Sequence, residues 1–164
     1  TEDLSDYPGK LKGHSAVLYE HHLYLFGGQA NDNSSSNLTY RYNFLKNFWK
    51  VISGEEWAPR LESHNAVVHG DAMYVLNGYM IEQAKLSANI YKRLEIVKVE
   101  YLLPTGREVS YSTGNSSVLV VGDSLWMFGG TDGNNTLNDL WRFGVNEKKW
   151  VQVATNDPPV VIYW

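Results

Sequence analysis

An apolar phrase that ends in glycine occurs three times in this chain of 164 residues, and it constrains the fold more than any other feature. The stretch LYLFGGQ returns later as LWMFGGT, with a weaker copy, MYVLNGY, between them. Gly78 follows Gly28 by 50 positions, and Gly130 follows Gly78 by 52 positions. A fixed period of this size is typical of a repeat architecture in which each repeat is one supersecondary unit.

The first half of each repeat predicts a β-hairpin of two apolar strands. An apolar run follows a small or polar residue, reaches a short polar turn, and continues in the run that ends at the glycines. The turns lie at 20–22, 70–71 and 122–123, where glycine or a polar residue suits a tight hairpin. The second runs are apolar on both faces, so both sides of these strands must be covered.

The second half of each repeat predicts two more strands after a polar loop. The third strands are predicted at 39–42, 90–94 and 140–143. A fourth strand then opens with Trp49 in the first copy and Trp150 in the third, whereas Tyr101 takes this place in the middle copy. Each repeat is therefore predicted to be a four-stranded antiparallel meander, and the fold is predicted to be all-β.

About fifty residues per four-stranded unit is typical of the blades of a β-propeller. The sequence resembles the kelch repeat, which has a His or small polar residue before the first strand, a strand that ends in Gly-Gly, an aromatic residue on the third strand, and a later Trp. The residues that carry the resemblance are His14, Gly27, Gly28, Tyr42 and Trp49, then His64, Gly78 and Tyr101, then Gly129, Gly130, Phe143 and Trp150. The pattern departs at Asn77 in the second copy and at Ser116 in the third. The resemblance implies three four-stranded blades of a kelch-type propeller.

Three blades form a partial propeller, because a closed ring needs about four to eight. We expect a single kelch-repeat domain over 1–164, with blades at about 13–53, 63–103 and 115–155 and the start of a further blade at 156–164. The remaining blades could belong to a longer propeller, or a second copy could complete a six-bladed ring as a homodimer. The third explanation is an open stack docked on another protein. In each case the flat apolar faces of the end blades need a partner.

The order of strands in a meander separates short turns from long connections. Turns between the first and second strands, and between the third and fourth, lie at one edge, and all other connections lie at the opposite edge. The long connections are predicted at 29–37, 53–59, 79–89, 102–112 and 131–138. Function concentrates on long loops held by a rigid scaffold, so this edge, the loop face, is the predicted binding surface for a protein or peptide. Its candidate binding residues are Asn31, Asp32, Trp57, Arg60, Tyr79, Arg107, Tyr111, Asp132 and Asn134.

Two of these candidates are arginines at the start of the segments between blades. The resemblance implies that Arg60 and Arg107 hold acidic peptides, as arginines do in kelch domains of the substrate-adaptor kind. An alternative is that Arg60 pairs with Glu55 or Glu56, which would occupy its donors and contribute little stability.

No pattern in the sequence predicts a cofactor, a metal or catalytic residues. His14 and His64 recur at one repeat position, and the resemblance implies a structural hydrogen bond to backbone there rather than a metal site. The chain has no cysteine, so thiolate nucleophiles and thiolate ligands are excluded. The glycine pairs end strands and lack both a following helix and Gly-Lys-Ser/Thr, so a phosphate loop is not expected. Motifs such as His-Glu-x-x-His and Gly-x-Ser-x-Gly are absent.

Composition narrows the class of partner. The chain has 14 Lys and Arg against 18 Asp and Glu, for a net charge of -4, so neither nucleic acid nor an anionic membrane is expected to bind. No apolar run approaches the roughly 18 residues that a transmembrane helix needs. Glycosylation sequons at Asn33, Asn37, Asn115 and Asn134 leave both a cytoplasmic and a secreted location open.

The predicted function is therefore protein–protein interaction rather than catalysis. One alternative is a part of a sugar-active kelch enzyme of the mutarotase or epimerase type, and another is a secreted cell-surface recognition module. A sugar-isomerising site would need charged residues that converge on a central channel, and three blades supply half of such a channel. The copper-dependent kelch oxidases use a cysteine linked to tyrosine, which this chain cannot form.

Overall fold

The computed structural model describes residues 6–53, 60–77, 80–85, 116–131 and 135–156. All regular secondary structure within these ranges is β-strand. In chain order the strands are β1 Ser15–Tyr19, β2 His22–Phe26, β3 Thr39–Asn43, β4 Phe48–Ser53, β5 Asn65–His69, β6 Ala72–Asn77, β7 Met80–Lys85, β8 Ser117–Val121, β9 Ser124–Thr131, β10 Thr136–Gly144 and β11 Lys149–Val153. They form three antiparallel sheets, β1-β2-β3-β4, β5-β6-β7 and β8-β9-β10-β11, each in chain order. The predicted all-β class of successive meanders is confirmed. A helix that could cross a bilayer is not found in these ranges.

The first and third sheets have the four strands that the sequence predicts. Phe143 on β10 pairs with Leu125 on β9 and with Trp150 on β11, and Tyr42 on β3 pairs with Trp49 on β4. Paired residues share a face, so the tryptophan rings lie against the third-strand aromatics, with centroids 4.9 Å apart for Tyr42 and 5.3 Å apart for Phe143. The tryptophan that opens each fourth strand therefore packs within its own sheet.

The middle sheet differs from the sequence prediction after its second strand. A long loop was expected over 79–89, and this is wrong, because β7 pairs with β6 from Ala72 to Asn77. The third strand predicted at 90–94, with Gly78 and Tyr101, lies outside the described residues.

The middle repeat also differs from the other two at the first glycine position of the repeat. Gly27 and Gly129 have φ of 64° and 67°, a left-handed conformation that L-residues rarely adopt. Asn77 stands at this position in the middle repeat and is the last residue of β6, whereas Gly129 lies inside β9, so the glycine alone does not set where the next strand begins. In the third sheet the connection is also shorter than the predicted 131–138, because β9 runs to Thr131 and β10 begins at Thr136.

Two hydrophobic cores lie between consecutive sheets. The first contains Val17, Tyr24, Phe26, Leu61, Met73 and Val75, and the second contains Ala72, Tyr74, Leu76, Leu125, Phe143 and Trp150. Successive residues of β6 alternate between these cores, which explains why this strand is apolar on both faces. Full burial of a side chain of this kind contributes about 1.5–3 kcal/mol, so packing between sheets is a large part of the stability.

The paired glycines allow two close backbone approaches. A Cβ atom at Gly27 would lie 2.6 Å from the carbonyl oxygen of Leu61 and 2.9 Å from Cε1 of His64, both in the following repeat. A Cβ atom at Gly28 would lie 2.9 Å from Cβ of His14, in its own repeat, and the Gly28 N–H donates to the Leu61 carbonyl at 2.8 Å. The absence of a side chain at Gly27 therefore lets the next repeat approach closely, and its absence at Gly28 lets the start of the same repeat approach closely.

Candidate functional site

The connection between β2 and β3, residues 27–38, forms the part of the loop face that the structure describes most completely. Gln29 exchanges two backbone hydrogen bonds with Lys12, at 3.0 and 2.8 Å. The Ser36 N–H donates to the Gly28 carbonyl at 2.8 Å, which closes the base of the connection. A connection held in this way loses less backbone entropy when it binds a partner than an unfixed loop would.

Asn31 and Asp32 lie exposed at the tip of this connection. Oδ1 of Asp32 accepts hydrogen bonds from the hydroxyl of Ser34 at 2.6 Å and from its N–H at 2.9 Å, an arrangement typical of an Asx turn. The hydroxyl first, and then the N–H, lower the pKa of Asp32 below its usual value. The tip therefore carries an ionised carboxylate at neutral pH.

Arg60 lies beside the same connection, although it belongs to the next repeat. Nη1 of Arg60 donates to the carbonyl of Ser35 at 3.0 Å, and the side chain is exposed. The neighbouring Leu61 donates its N–H to the Ser36 carbonyl at 3.2 Å, which fixes the backbone at this point. A guanidinium has five N–H donors, so this one contact leaves donors for a carboxylate ligand.

Three of the predicted binding residues lie on or beside this connection: Asn31 and Asp32 at its tip, and Arg60 through its hydrogen bond to Ser35. The other candidates, Trp57, Tyr79, Arg107, Tyr111, Asp132 and Asn134, lie outside the described residues, as do the alternative Arg60 partners Glu55 and Glu56. The candidates predicted from the sequence do not include Ser34 and Ser35, which hydrogen-bond to Asp32 and Arg60 respectively. The Asp-x-Ser pattern of an Asx turn was the available signal for Ser34.

A buried polar pair joins the first two sheets behind the loop face. Oγ of Ser15 and Nε2 of His64 lie 2.8 Å apart, and both residues are buried. Burial lowers the pKa of His64 to about 4, the nearby Phe26 backbone opposes this shift, and His14 adds a smaller lowering. His64 is therefore neutral at pH 7.

The same contact recurs one repeat later between the second and third sheets. Nδ2 of Asn65 donates to Oγ of Ser116 at 2.9 Å. Ser15 and Asn65 hold one repeat position, and His64 and Ser116 hold the position before it. The polar residue that opens the first strand of one repeat thus hydrogen-bonds to the residue just before the first strand of the next repeat. The sequence period alone did not identify this partner.

The opposite edge carries the short turns and a few polar pairs. Nε2 of His69 lies 3.0 Å from Oδ1 of Asp123, and Nε2 of His22 lies 3.1 Å from Nδ2 of Asn43. Burial and then the charge of Arg41 lower the pKa of His22. In the described ranges, no three His, Cys, Asp or Glu side chains are grouped as a metal ion would need.

Comparison with protein families matches residues 5–161 to a family described as the KLHDC2/KLHL20/DRC7 Kelch-repeats domain. The match extends over all three sheets. It agrees with the residues that carry the kelch resemblance in the sequence.

Similar curated proteins are considerably longer than this chain. Kelch domain-containing protein 10 from Homo sapiens is 29% identical over 167 residues, which cover 92% of this chain and 37% of that protein. Leucine-zipper-like transcriptional regulator 1 homolog from Drosophila melanogaster is 28% identical over 155 residues, covering 88% of this chain and 15% of that protein. The chain thus spans well under half the length of these relatives.

Among solved structures, the structure of YjhT is similar to this chain with a TM-score of 0.71. The alignment has 15% sequence identity and covers 93% of this chain and 55% of YjhT. At this identity the likeness concerns the fold alone.

Proposed function

Because the chain belongs to the KLHDC2/KLHL20/DRC7 Kelch-repeats domain family, we propose that it binds a protein or peptide through its loop face. Kelch repeats form interaction modules of the propeller type, and proteins are their general class of partner. One observation carries the proposal for this chain. The connection at 27–38 is fixed by backbone hydrogen bonds, whereas Asn31, Asp32 and Arg60 on and beside it are exposed.

The charges at this connection favour a peptide that carries a carboxylate and a nearby donor. The Arg60 guanidinium can bind a carboxylate through two parallel hydrogen bonds, and Ser35 already restricts its orientation. The ionised Asp32 can accept an N–H from the same ligand, and opposite charges at two points fix the register of a bound chain. Asn31 can serve as donor and acceptor beside them.

Selection from a randomised peptide library on the immobilised chain tests this proposal. Selected peptides are then synthesised, and their affinities for the parent and for variants are measured by fluorescence anisotropy. Arg60→Ala should weaken binding by about tenfold or more, because truncation of a central arginine anchor costs about 1–2 kcal/mol or more. Asp32→Ala should also weaken binding.

Lys46 supplies the matched control, because it is an exposed cation on the β3–β4 turn at the opposite edge. Lys46→Ala removes the same charge and should leave the affinity unchanged. Equal losses in Arg60→Ala and Lys46→Ala would indicate a non-specific charge effect and contradict the proposal. Failure to select any peptide that Arg60→Ala weakens would contradict it as well.

The extent of the domain is part of the same proposal. We infer a single kelch-repeat domain over 1–164, with blades at about 13–53, 63–103 and 115–155 and a further blade that starts at 156–164. The described strands of the three sheets fall within the three blade ranges, which supports this division.

A further inference from the structure

The last strand of the first sheet, β4, has an outer edge that faces away from β3. Within the described residues no further strand pairs with it. An edge of this kind presents backbone N–H and C=O groups to which another extended chain can pair. Neighbouring sheets pack against the faces of a sheet, as the two cores show, so a further sheet would leave this edge uncovered. Protection of the edge must therefore come from a segment outside the stack of sheets.

Asp6 lies on this outer edge, although it is far from β4 in sequence. Its N–H donates to the Trp49 carbonyl at 3.1 Å. Oδ2 of the same residue accepts the Val51 N–H at 3.0 Å. These two partners flank Lys50, so Asp6 contacts the edge at two points on either side of one residue.

The two hydrogen bonds have the pattern of a parallel β-bridge. In such a bridge one residue donates its N–H to the residue before its partner, and its carbonyl accepts the N–H of the residue after that partner. Asp6 does this around Lys50, except that a carboxylate oxygen replaces the backbone carbonyl. A hydrogen bond to an ionised carboxylate is about twice as strong as one between neutral groups. Asp6 therefore acts as one residue of an additional strand.

The residues after Asp6 end this pairing. Pro8 has no N–H and cannot donate to a strand. Gly9 has φ of 72°, outside the range of an extended chain. A charged residue and a proline at a sheet edge are features that hinder pairing with another chain. The segment thus covers the edge of β4 without offering a new pairing edge of its own.

The entry segment, residues 6–14, is also held at its other end. Lys12 exchanges two backbone hydrogen bonds with Gln29, and the Gly13 carbonyl accepts the Ser63 N–H at 2.8 Å. A chain fixed at this end keeps Asp6 at a high effective concentration beside β4.

We propose that the outer edge of β4 is a strand-pairing site whose occupant is the entry segment, with Asp6 as the residue that holds it there. The occupied edge cannot pair with another extended chain. Loss of the Asp6 contacts frees the Trp49 carbonyl and the Val51 N–H for such pairing.

Amide hydrogen exchange, followed residue by residue by NMR, tests the occupant. In Asp6→Ala the Val51 N–H should exchange faster by about tenfold or more, because the variant removes its charge-assisted acceptor. Asp6→Asn keeps a side-chain carbonyl oxygen and should retain most of the protection. Gln152 holds the position of Val51 on β11, so its exchange should be the same in all three proteins.

Cross-linking tests whether the freed edge pairs with another chain, and a second copy of β4 serves as the probe. The chain has no cysteine, so one introduced cysteine reports one contact. Lys50 is exposed, and two β4 edges paired antiparallel would bring it close to its own counterpart. Lys50→Cys should form a covalent dimer with a short bis-maleimide reagent in the Asp6→Ala background, and little or none when Asp6 is present.

Val151→Cys is the matched control, since Val151 holds the position of Lys50 on β11 and is 45% exposed. Its cross-linking should be the same with and without Asp6→Ala. Unchanged exchange of Val51 in Asp6→Ala overturns the proposal, and so does cross-linking of Lys50→Cys that does not depend on Asp6. Equal increases for Lys50→Cys and Val151→Cys would indicate a general loss of structure and contradict it as well.

Discussion

A single methyl group at Gly27 should destabilise the protein by about 2–5 kcal/mol, by two separate effects. Gly27 has φ of 64°, and an L-residue in the left-handed region costs about 1–2 kcal/mol. The new Cβ atom would also lie 2.6 Å from the Leu61 carbonyl oxygen, a backbone atom that cannot rotate away. Forcing extra volume into a packed region costs about 1–3 kcal/mol more.

Two other glycines separate these effects. Gly70 has φ of 59°, but no atom lies within 4 Å of an added Cβ, so Gly70→Ala should show the conformational cost alone. Gly129 has φ of 67°, and its added Cβ would lie 3.1 Å from the Leu137 carbonyl oxygen, so Gly129→Ala should be intermediate. The order of destabilisation is therefore Gly27→Ala, then Gly129→Ala, then Gly70→Ala.

Urea unfolding followed by circular dichroism at one fixed protein concentration measures these differences. The concentration is held constant because self-association would add to the apparent stability. A shift in midpoint at unchanged slope reports stability, and Gly27→Ala should exceed Gly70→Ala by about 1–3 kcal/mol. Equal midpoints for these two variants would refute the idea that Gly27 is needed for the approach of the second sheet.

Two further predictions concern buried rings. The folded-state pKa of His64 is about 4, below its usual 6.5, so the unfolded chain binds more protons than the folded chain between these values. The contribution of His64 to the free energy of unfolding should therefore be fully present above about pH 6.5 and fall by about 3 kcal/mol towards pH 4. Urea midpoints should show this fall in the parent and a smaller one in His64→Gln, and equal pH dependence would contradict the assignment. Trp150→Ala should cost about 3–5 kcal/mol, and Trp49→Ala should cost less in a monomer, because Trp49 is only partly buried. Thermal unfolding measures both.

Most of the strands could be predicted because the same sequence pattern occurs in more than one repeat. The apolar run before Gly28 and the aromatic residue Tyr42 predicted the strands of the first sheet. The same features at Gly130 and Phe143 predicted those of the third sheet. The middle repeat lacks the first glycine, and the sequence predicts a long loop at 79–89, where β7 pairs with β6 instead. The connections after β6 and β9 are both shorter than predicted, although Asn77 replaces the glycine and Gly129 keeps it, so the residue type at this position did not indicate where the next strand begins.

The candidate site was less predictable, because it depends on contacts between repeats. Asn31, Asp32 and Arg60 were selected for their residue types, but the place of Arg60 beside the connection that carries the other two follows from the backbone hydrogen bonds of Leu61 to Gly28 and Ser36. Those bonds join segments that are far apart in sequence. A single sequence contains the period of the repeats but not the offset by which one repeat contacts the next.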